Sequence, residues 1–423
     1  MKILVIGCGY VGLATGTCLA EVGNEVVCVD KNVDKITGLQ KGEMPLYEPE
    51  LQGLLKKNVD EGRLKFGTEI VNADIAICAV GTPTKENGET DLTDVFDVAK
   101  SVGEKMNQDG VFIMKSTVPV GTTLECKKFL NCHVVSNPEF LRQGAAIQDT
   151  MAPDRIIIGT QNKEVEKIME NLYAPFVGEG RPIVFMDIAS AELSKYAANA
   201  FLSTKISFIN EMADFCSASG ANIKQVANAI GLDSRIGPKF LNAGIGYGGG
   251  CLGKDNKSLI GQAKKIGKNL DIVTAVEARN EMQKNLILKK FEEHFGDLNG
   301  HTICLLGLSF KPKTDDLRDA PSNEIVKKLL QSGAIIKVYD PVSADKFIQL
   351  HGAQNILKAP DMYEAGRGAD AIVITTEWDE FKDMDFNKMK ALMKGSLLVD
   401  GRNICDPALV KNAGLKYIGI GVS

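Results

Sequence analysis

The first thirty residues read as a strand, a glycine-rich turn, a helix and a second strand, which is the order of a dinucleotide-binding βαβ unit. The apolar run KILVIG leads into Gly7, Gly9 and Gly12, spaced as G-x-G-x-x-G, and Asp30 ends the second apolar run, EVVCVD. Such glycines let a pyrophosphate approach a helix N-terminus, and a carboxylate in this position binds ribose hydroxyls. The pattern predicts a parallel sheet and a site that favours NAD over its phosphorylated relative.

The net charge, the cysteine pattern and the length of the apolar stretches restrict the kinds of partner and compartment that we expect. The 423 residues carry a net charge of -5, which gives no electrostatic reason to expect nucleic acid or an anionic membrane as a partner. The ten cysteines are dispersed without a CxxC pair, a pattern typical of reduced cytosolic thiols rather than of a disulfide framework or a metal site. Because the first strand starts at the second residue and no apolar stretch has membrane-spanning length, we expect a cytoplasmic protein.

The chain alternates between two kinds of sequence, which divides it into three parts. We predict an N-terminal Rossmann-like domain over 1–188, a helical middle domain over 189–298 and a second Rossmann-like domain over 299–423. The fold class is therefore α/β, with two doubly wound sheets joined by helices. Strand-like runs are DIAICAV, GVFIMKST, CHVVSNP and DRIIIGT in the first part, and TICLLGLSF, AIIKVYDP, DAIVITT, GSLLVDGRN and KYIGIG in the last.

A cysteine stands inside a run almost devoid of side chains, GYGGGCLGKD, in the helical middle part. Glycines around Cys251 would let a substrate approach its sulfur, and Lys254 and Asp255 follow with a cation and a possible base. A thiolate that adds to an aldehyde gives a thiohemiacetal, which a second hydride transfer converts to a thioester. The alternative is that Cys251 is inert and the glycines only form a turn, because thiol reactivity depends on surroundings.

Polar side chains recur at the ends of other predicted elements. Lys195 and Asn199 lie one helical turn apart, as a pair that could stabilise an oxyanion, although Lys195 could equally be a surface lysine. The turns 81–84 and 115–121 follow predicted strands, where doubly wound sheets bind ligands, but each is also compatible with ordinary Pro/Gly turn chemistry. Glu139 follows a further strand, where a carboxylate could orient water or bind a sugar hydroxyl.

In this order along nearly the whole chain, the motifs KSTVPVGTT, NPEFLRQG, AELSKYAANAF, DSRIG, GYGGGCLGKD and FKPKTDDLRDAPS resemble those of the UDP-glucose 6-dehydrogenases, within the UDP-glucose/GDP-mannose dehydrogenase family. The resemblance implies oxidation of UDP-glucose to UDP-glucuronate by two NAD, with Cys251 as the nucleophile. Asp255 and Thr117 would activate and position the hydrolytic water. Lys195 and Asn199 would stabilise the alkoxide and the thiohemiacetal oxygen, and Glu139 would belong to the sugar and water network.

The resemblance also implies binding residues and an assembly. Cofactor contacts are expected at Gly7, Gly9, Tyr10, Val11, Gly12, Asp30, Lys35, Thr82, Thr117, Gln143, Lys254 and Arg318. Substrate contacts are expected at Glu139, Phe140, Leu141, Arg142, Gln143, Lys195, Asn199, Arg235, Phe240, Leu241, Asn242, Ala243, Gly244, Gly248, Lys311 and Arg402. Arg235 could reach a neighbouring subunit, and a homodimer or a larger homo-oligomer is expected. No metal site is predicted.

Two positions depart from the family pattern. Gln143 stands where the family usually has Glu, and Gly253 where it usually has Pro, which leaves open an acid-base role at 143 and a rigid presentation of Cys251. Three other functions remain open. A sister enzyme for UDP-N-acetylhexosamine or GDP-mannose would share the chemistry, a two-electron hydroxyacid dehydrogenase would share the helix-borne Lys195 and Asn199, and a nucleotide-sugar sensor would lack catalysis.

Overall fold

The computed structural model describes residues 1–85, 88–178 and 180–422, and its contacts divide the chain into two compact units. Unit 1 consists of residues 1–198 and 257–268, and unit 2 of residues 199–256 and the chain from 269 onward. The predicted boundaries at 188 and 298 remain a prediction. No helix in the described ranges is long and apolar enough to span a bilayer.

Unit 1 contains an eight-stranded sheet in the order β3-β2-β1-β4-β5-β6-β7-β8. Neighbouring strands are parallel except β6 and β7, which pair antiparallel at Ser136 and Gly159. The strands are β1 (Lys2–Ile6), β2 (Glu25–Val29), β3 (Leu64–Gly67), β4 (Ile75–Cys78), β5 (Val111–Met114), β6 (His133–Ser136), β7 (Ile156–Gly159) and β8 (Ile183–Met186). Order 3-2-1-4-5-6 is that of a dinucleotide-binding sheet, so the predicted doubly wound domain is confirmed.

Helices cover both faces of this sheet. Ile3 and Val5 of β1 belong to one apolar cluster and Leu4 and Ile6 to another, because successive side chains of a strand point to opposite faces. This explains why the central strands are continuous apolar runs. The helices before the middle part are α1 (Tyr10–Glu21), α2 (Val33–Gln40), α3 (Leu51–Asp60), α4 (Thr93–Gly103), α5 (Thr122–Cys126), α6 (Ala146–Met151) and α7 (Lys163–Tyr173).

The middle of the chain is helical, as predicted. Its longest helix, α8 (Ile188–Ser219), begins in unit 1 and ends in unit 2. The other helices are α9 (Ile223–Gly231), α10 (Leu252–Lys265), α11 (Asp271–Lys284) and α12 (Leu286–Phe295). Helix α10 starts immediately after Cys251, so the cysteine lies at its N-terminal end.

Unit 2 contains a six-stranded parallel sheet in the order β11-β10-β9-β12-β13-β14, which repeats the order of the first six strands. The strands are β9 (Thr302–Leu306), β10 (Ile335–Tyr339), β11 (Ile356–Lys358), β12 (Ala371–Ile374), β13 (Leu397–Asp400) and β14 (Lys416–Ile418). The helices between and after them are α13 (Pro321–Gln331), α14 (Ala344–His351), α15 (Met362–Gly366), α16 (Asp379–Lys382), α17 (Phe386–Leu392) and α18 (Pro407–Asn412). The second predicted Rossmann-like domain is therefore confirmed.

The two sheets also resemble each other at the end of their second strand. Asp30 follows β2 and accepts a hydrogen bond from the amide of Cys8, while Asp340 follows β10 and accepts one from the amide of Leu308. Each aspartate thus fixes the turn after the first strand of its own sheet. Asp340 also accepts a bond from the indole nitrogen of Trp378 and is buried.

Candidate active site

The turn between β1 and α1 has the geometry that a dinucleotide requires. Gly7 has φ of 104°, and a Cβ there would lie 2.6 Å from the carbonyl oxygen of Ala79. A Cβ on Gly12 would collide with the carbonyl oxygen of Gly7, so helix and turn touch directly. A Cβ on Gly9, in contrast, would meet no atom within 4 Å. The backbone at the helix N-terminus is therefore open on the side where a pyrophosphate binds.

Asp30 lies beside this turn with Lys35. Its Oδ2 accepts bonds from Cys8 N at 2.9 Å and Lys35 Nζ at 2.7 Å, and its Oδ1 accepts one from Asn32 N at 3.0 Å. Burial alone would raise the pKa of Asp30, but these hydrogen bonds outweigh burial and hold the pKa below its ordinary value. The ionised carboxylate is an acceptor fit for ribose hydroxyls, and the structure brings Asp30, Lys35 and the glycine turn together.

Two further predicted cofactor residues meet at the carboxyl ends of β4 and β5. The hydroxyl of Thr82 donates to the carbonyl oxygen of Thr117 at 2.9 Å, and that of Ser116 donates to the carbonyl oxygen of Val80 at 2.8 Å. Strand β4 neighbours β1 at the point where the strand order reverses. Ligands of open parallel sheets bind in this position, so the location agrees with the predicted cofactor role of both threonines.

Glu139 and Lys195 form a buried ion pair in unit 1. Glu139 follows β6, and its Oε1 lies 3.2 Å from Lys195 Nζ on α8, while its Oε2 accepts a bond from Leu141 N at 2.5 Å. Both side chains are buried. The alternative of a surface lysine is therefore wrong for Lys195, whose ammonium charge faces a carboxylate in a poorly solvated environment where electrostatic effects are strong.

Aromatic and cationic groups surround this pair. The ring centroid of Phe140 lies 5.4 Å from Lys195 Nζ and 3.6 Å from the guanidinium carbon of Arg155. Burial lowers the pKa of Arg155 from its ordinary value. Stacking of Arg155 on Phe140 holds the loop that carries Glu139. Arg155 was not predicted from the sequence, although it directly precedes β7.

Lys115 is a second buried lysine that the sequence analysis missed. It follows β5 directly, and its Nζ donates to Asn137 Oδ1 at 3.1 Å and lies 3.4 Å from the hydroxyl of Tyr173. Burial lowers the pKa of Lys115 to about 8, with the Glu139 carboxylate opposing and the Lys195 ammonium adding to the shift. A lysine joined directly to the apolar run VFIM was the available signal.

Cys251 is exposed, whereas the other nine cysteines, all within the described residues, are buried. Burial raises the pKa of thiols such as Cys78, to about 11, and keeps them protonated. The glycines before Cys251 leave no space for side chains. A Cβ on Gly249 would lie 2.8 Å from the ring of Phe310, and one on Gly250 would lie 2.5 Å from the guanidinium carbon of Arg318. The loop thus presents the one accessible thiol of the described chain.

Asp255 lies in the first turn of α10 with two polar partners. Asn199 Nδ2 donates to Asp255 Oδ2 at 2.6 Å, and Lys254 Nζ lies 2.7 Å from Oδ1. Oδ1 is buried and accepts no well-aligned hydrogen bond from the described residues. The amide of Asp255 donates to the carbonyl oxygen of Cys251 at 2.8 Å. The structure therefore joins Asp255 to Asn199 and Lys254 and places this carboxylate one helical turn after Cys251 in unit 2.

Helix α11 supports the cysteine loop through residues that the sequence analysis did not select. Asn280 Oδ1 accepts the amide of Tyr247 at 2.8 Å, and Asn280 Nδ2 donates to its carbonyl oxygen at 3.0 Å. Glu277 accepts bonds from the Tyr247 hydroxyl and from Asn256 Nδ2. The α11 side chains thus fix the start of the loop. Asn280 and Glu277 were not predicted, because both lie far from Cys251 in the sequence.

The predicted substrate segment 240–244 packs in unit 2 beside Arg402. Gly244 N donates to Asn210 Oδ1 at 2.8 Å, and Phe240 has φ of 65°, in the left-handed region. Arg402 Nε donates to the Thr375 carbonyl oxygen at 2.8 Å and Nη1 to the Gly246 carbonyl oxygen at 2.9 Å. Its Nε also lies 3.3 Å from the Glu377 carboxylate, while its Nη2 is buried without a hydrogen-bond partner among the described residues.

Other predicted residues are held by local contacts. Arg142 pairs with Asp149 at 2.6 Å, and Arg235 pairs with Asp233 at 2.6 Å with 87% of its side chain exposed. Gly248 touches the backbone of Asp319. Unit 1 also contains Tyr10, Val11, Leu141 and Gln143, and unit 2 contains Leu241, Asn242, Ala243 and Lys311. The roles of all these residues remain predictions. In the part of the chain that the structure describes, no cluster of His, Cys, Asp or Glu is arranged to hold a metal.

A dinucleotide turn on a parallel sheet, together with an accessible cysteine and a buried carboxylate, defines a nicotinamide-dependent oxidoreductase. Comparison with known proteins gives the family. Residues 1–177, 189–282 and 304–407 match, in turn, the NAD binding, central and UDP binding domains of the UDP-glucose/GDP-mannose dehydrogenase family. The chain belongs to this family, as its motifs predicted, and the prediction of NAD as cofactor is confirmed.

Individual relatives match over their full length. The chain is 42% identical to a UDP-glucose 6-dehydrogenase of Pseudomonas aeruginosa, covering 100% of this chain and 97% of that one. It is 45% identical to the UDP-glucose 6-dehydrogenase TuaD of Bacillus subtilis, covering 99% and 93%. Among solved structures, a UDP-glucose dehydrogenase of Pyrobaculum islandicum matches with a TM-score of 0.90 at 32% identity, covering 100% and 98%.

Proposed function

We propose that this chain oxidises UDP-glucose to UDP-glucuronate with two NAD and one water per sugar. The observation that carries the proposal is the exposed Cys251 at the start of α10, with Asp255 in the following turn. An accessible thiol in a nicotinamide enzyme suits a four-electron oxidation, because a covalent adduct holds the aldehyde for the second step. Identity of 42% and 45% to two UDP-glucose 6-dehydrogenases supports the choice of sugar.

NAD, held at the glycine turn and by Asp30, would supply the hydride acceptor for C6 of the sugar in each oxidation. In the first, Lys195 stabilises the alkoxide that forms when the C6 hydroxyl loses its proton, and Glu139 keeps the ammonium in place at 3.2 Å. The sulfur of Cys251 then bonds to the aldehyde carbon and the carbonyl oxygen takes up a proton, which gives a thiohemiacetal. Loss of the second hydride and of the hydroxyl proton yields a thioester on Cys251.

Hydrolysis releases the product. Asp255 accepts a proton from water as the water oxygen bonds to the thioester carbon, and Thr117 positions that water. The bond between carbon and sulfur breaks, so Cys251 leaves as a thiolate and the carboxylate is formed. The balance is UDP-glucose, two NAD⁺ and water giving UDP-glucuronate, two NADH and three protons. Asn199 holds Asp255 Oδ2 at 2.6 Å throughout.

Two sites are needed to bind the ligands. For the cofactor, the open backbone at Gly9 and the carboxylate of Asp30 support binding of the pyrophosphate and the ribose. For the UDP-sugar, the unpartnered Nη2 of Arg402 is a donor for a phosphate or sugar oxygen. The match of residues 304–407 to a UDP binding domain supports this second assignment.

We also infer a homodimer, or a larger assembly built from it, formed through α8. Phe201, Phe208 and Phe215 are exposed and seven residues apart on this helix, so they form an apolar stripe on one face. A second copy of the chain would remove the stripe from water. We place the enzyme in the cytoplasm. Its ten cysteines, all within the described residues, form no disulfide, which supports this compartment.

A panel of nucleotide sugars tests the proposed substrate. With NAD in excess, UDP-glucose should be consumed with a catalytic efficiency at least about tenfold above UDP-N-acetylglucosamine, UDP-N-acetylmannosamine and GDP-mannose, the size of one well-placed polar mismatch. Similar catalytic efficiency with an N-acetylated sugar would indicate a UDP-N-acetylhexosamine dehydrogenase instead. No NADH from any sugar, in a protein that binds UDP-glucose, would favour a sensor.

A further inference from the structure

The turn that carries Thr117 is held by side chains from three other elements of unit 1. This turn, defined as residues 115–123, follows β5 and includes the first two residues of α5. Thr82 donates to the carbonyl oxygen of Thr117 at 2.9 Å, and Gln262 accepts the amide of Val120 at 3.0 Å. The third side chain is Glu192 of α8. It makes the two contacts at the far end of the turn.

Glu192 binds the turn through both carboxylate oxygens. Oε2 accepts the amide of Gly121 at 2.6 Å, and Oε1 accepts the amide of Thr123 at 2.8 Å. The side chain is 3% exposed. Burial raises the pKa of Glu192, against the opposing effect of the bonds from Thr123 and Gly121. Burying an ionised carboxylate costs free energy unless the carboxylate is hydrogen-bonded. The two N–H groups that donate to Glu192 belong to the N-terminal end of α5, where a negative charge is favoured.

Glu192 also belongs to the helix that carries Lys195. The two residues are three positions apart on α8, so their side chains emerge from adjacent turns on the same side of the helix. Lys195 is paired with Glu139, whereas Glu192 is bonded to the turn of Thr117. One short stretch of α8 therefore contacts both the loop of Glu139 and the turn of Thr117, and fixes their positions relative to each other.

We propose that Glu192 is a positioning residue for hydrolysis of the thioester, acting through Thr117. The proposal rests on the proposed function, in which Thr117 positions the attacking water. By fixing residues 121 and 123 to α8, Glu192 sets where the Thr117 hydroxyl lies relative to Lys195. A misplacement of about 1 Å can reduce a rate by up to about 100-fold, so a loosened turn affects the step that depends on the Thr117 hydroxyl.

Glu192→Gln tests the proposal because it keeps the size of the side chain but turns an NH₂ group toward a backbone N–H. We expect UDP-glucose and NAD to bind as in the wild type and both NADH of the first turnover to form in a burst. Hydrolysis should slow by about 10-fold or more. The thioester on Cys251 should then accumulate, visible as added mass in the intact protein after acid quenching. Glu192→Asp, which keeps the charge, should restore part of the hydrolysis rate.

Asp370→Asn is the matched control. Asp370 is a buried carboxylate that accepts the amide of Thr302 at 2.9 Å, at the amino end of β9 in unit 2. This variant should lose stability without accumulating the thioester. If Glu192→Gln lowers the melting temperature in the same way and leaves the adduct at the wild-type level, Glu192 only caps α5 and the proposal is wrong.

A second variant keeps the test decisive if Glu192→Gln does not fold. Gln262→Met removes the acceptor for the amide of Val120 and leaves Glu192 in place. It should accumulate the thioester to a smaller extent, and an unchanged level would overturn the proposal. Failure of the proposed function would look different, because the wild type would then form one NADH per sugar and no variant would carry an adduct.

Discussion

At the scale of single residues, burial sets the chemistry of the candidate catalytic groups in each unit. Lys195, Glu139 and Asp255 are buried with charged or amide partners, while Cys251 is the exposed thiol. The sequence motifs predicted these four. Glu192 was not predicted, because its contacts are with distant elements that no local pattern encodes. Lys115 was also missed, although its position directly after the apolar run VFIM was a usable signal.

Lys115 should give stability a specific pH dependence. Its pKa is lowered from 10.5 to about 8, so between these values the unfolded chain binds more protons than the native state. Stability of the wild type should therefore rise with pH across this window, relative to Lys115→Met, by up to about 3 kcal/mol. Urea unfolding of both proteins at about pH 7 and about pH 10 measures this difference.

The comparison isolates Lys115 because the groups that face it, Glu139, Lys195 and Tyr173, are present in both proteins. If the stability difference between the two proteins does not change with pH, the native structure does not lower the pKa of Lys115. Lys115→Arg should not reproduce the wild-type curve, because a guanidinium does not lose its proton in this range.

At the scale of elements, sequence patterns predicted the buried strands and missed the marginal ones. Each strand-like run named from the sequence forms a strand in the structure. Three strands, β3, β8 and β11, were missed. All three are partly exposed. The short β3 and β11 include a lysine, whereas β8, with the apolar sequence IVFM, was overlooked. The predicted helical middle part proved to contain five helices, α8 to α12, whose ends periodicity alone did not place.

Gly253 allows a prediction about α10. It is the second residue of this helix, where the amide has no intrahelical partner and proline is tolerated. The nearest atom to a Cβ there would be Glu277 Oε2 at 3.8 Å, an ordinary contact. Gly253→Pro should therefore stabilise the protein by up to about 1 kcal/mol through the unfolded state and keep its activity.

Thermal unfolding and steady-state kinetics of Gly253→Pro check this prediction, and Gly261→Pro in the interior of α10 is the contrasting variant. Proline in a helix interior costs about 3 kcal/mol. A folded but inactive Gly253→Pro would mean that the loop before α10 does not follow the family pattern. The proposed roles of Lys254 and Asp255 would then lose support.

At the scale of the whole molecule, two sheets with one strand order serve two ligands. Both have a glycine turn after the first strand and an aspartate after the second, yet residues 1–177 match an NAD binding domain and 304–407 a UDP binding domain. The sequence predicted two Rossmann-like parts and found G-x-G-x-x-G only in the first. The similarity in topology became visible only in the structure, since strand order depends on pairing between distant segments.

The phenylalanine stripe of α8 predicts the assembly. Sedimentation should give the wild type a mass of twice 45.7 kDa or a multiple of that value. Phe208→Glu places a charge in the stripe and should shift the protein toward the monomer. Leu409→Glu changes an equally exposed apolar residue on α18 and should not. A monomeric wild type at micromolar concentration would contradict the proposed dimer.

A covalent adduct on Cys251 distinguishes the proposed four-electron oxidation from a two-electron dehydrogenase reaction. The most direct measurement counts NADH per UDP-glucose and weighs the intact protein after acid quenching, for the wild type, Cys251→Ala and Cys251→Ser. We predict two NADH per sugar for the wild type and no UDP-glucuronate from Cys251→Ala, which should still bind both ligands. Cys251→Ser should accumulate an ester adduct, because an ester hydrolyses more slowly than a thioester. One NADH per sugar with free aldehyde, or full turnover by Cys251→Ala, would contradict the account.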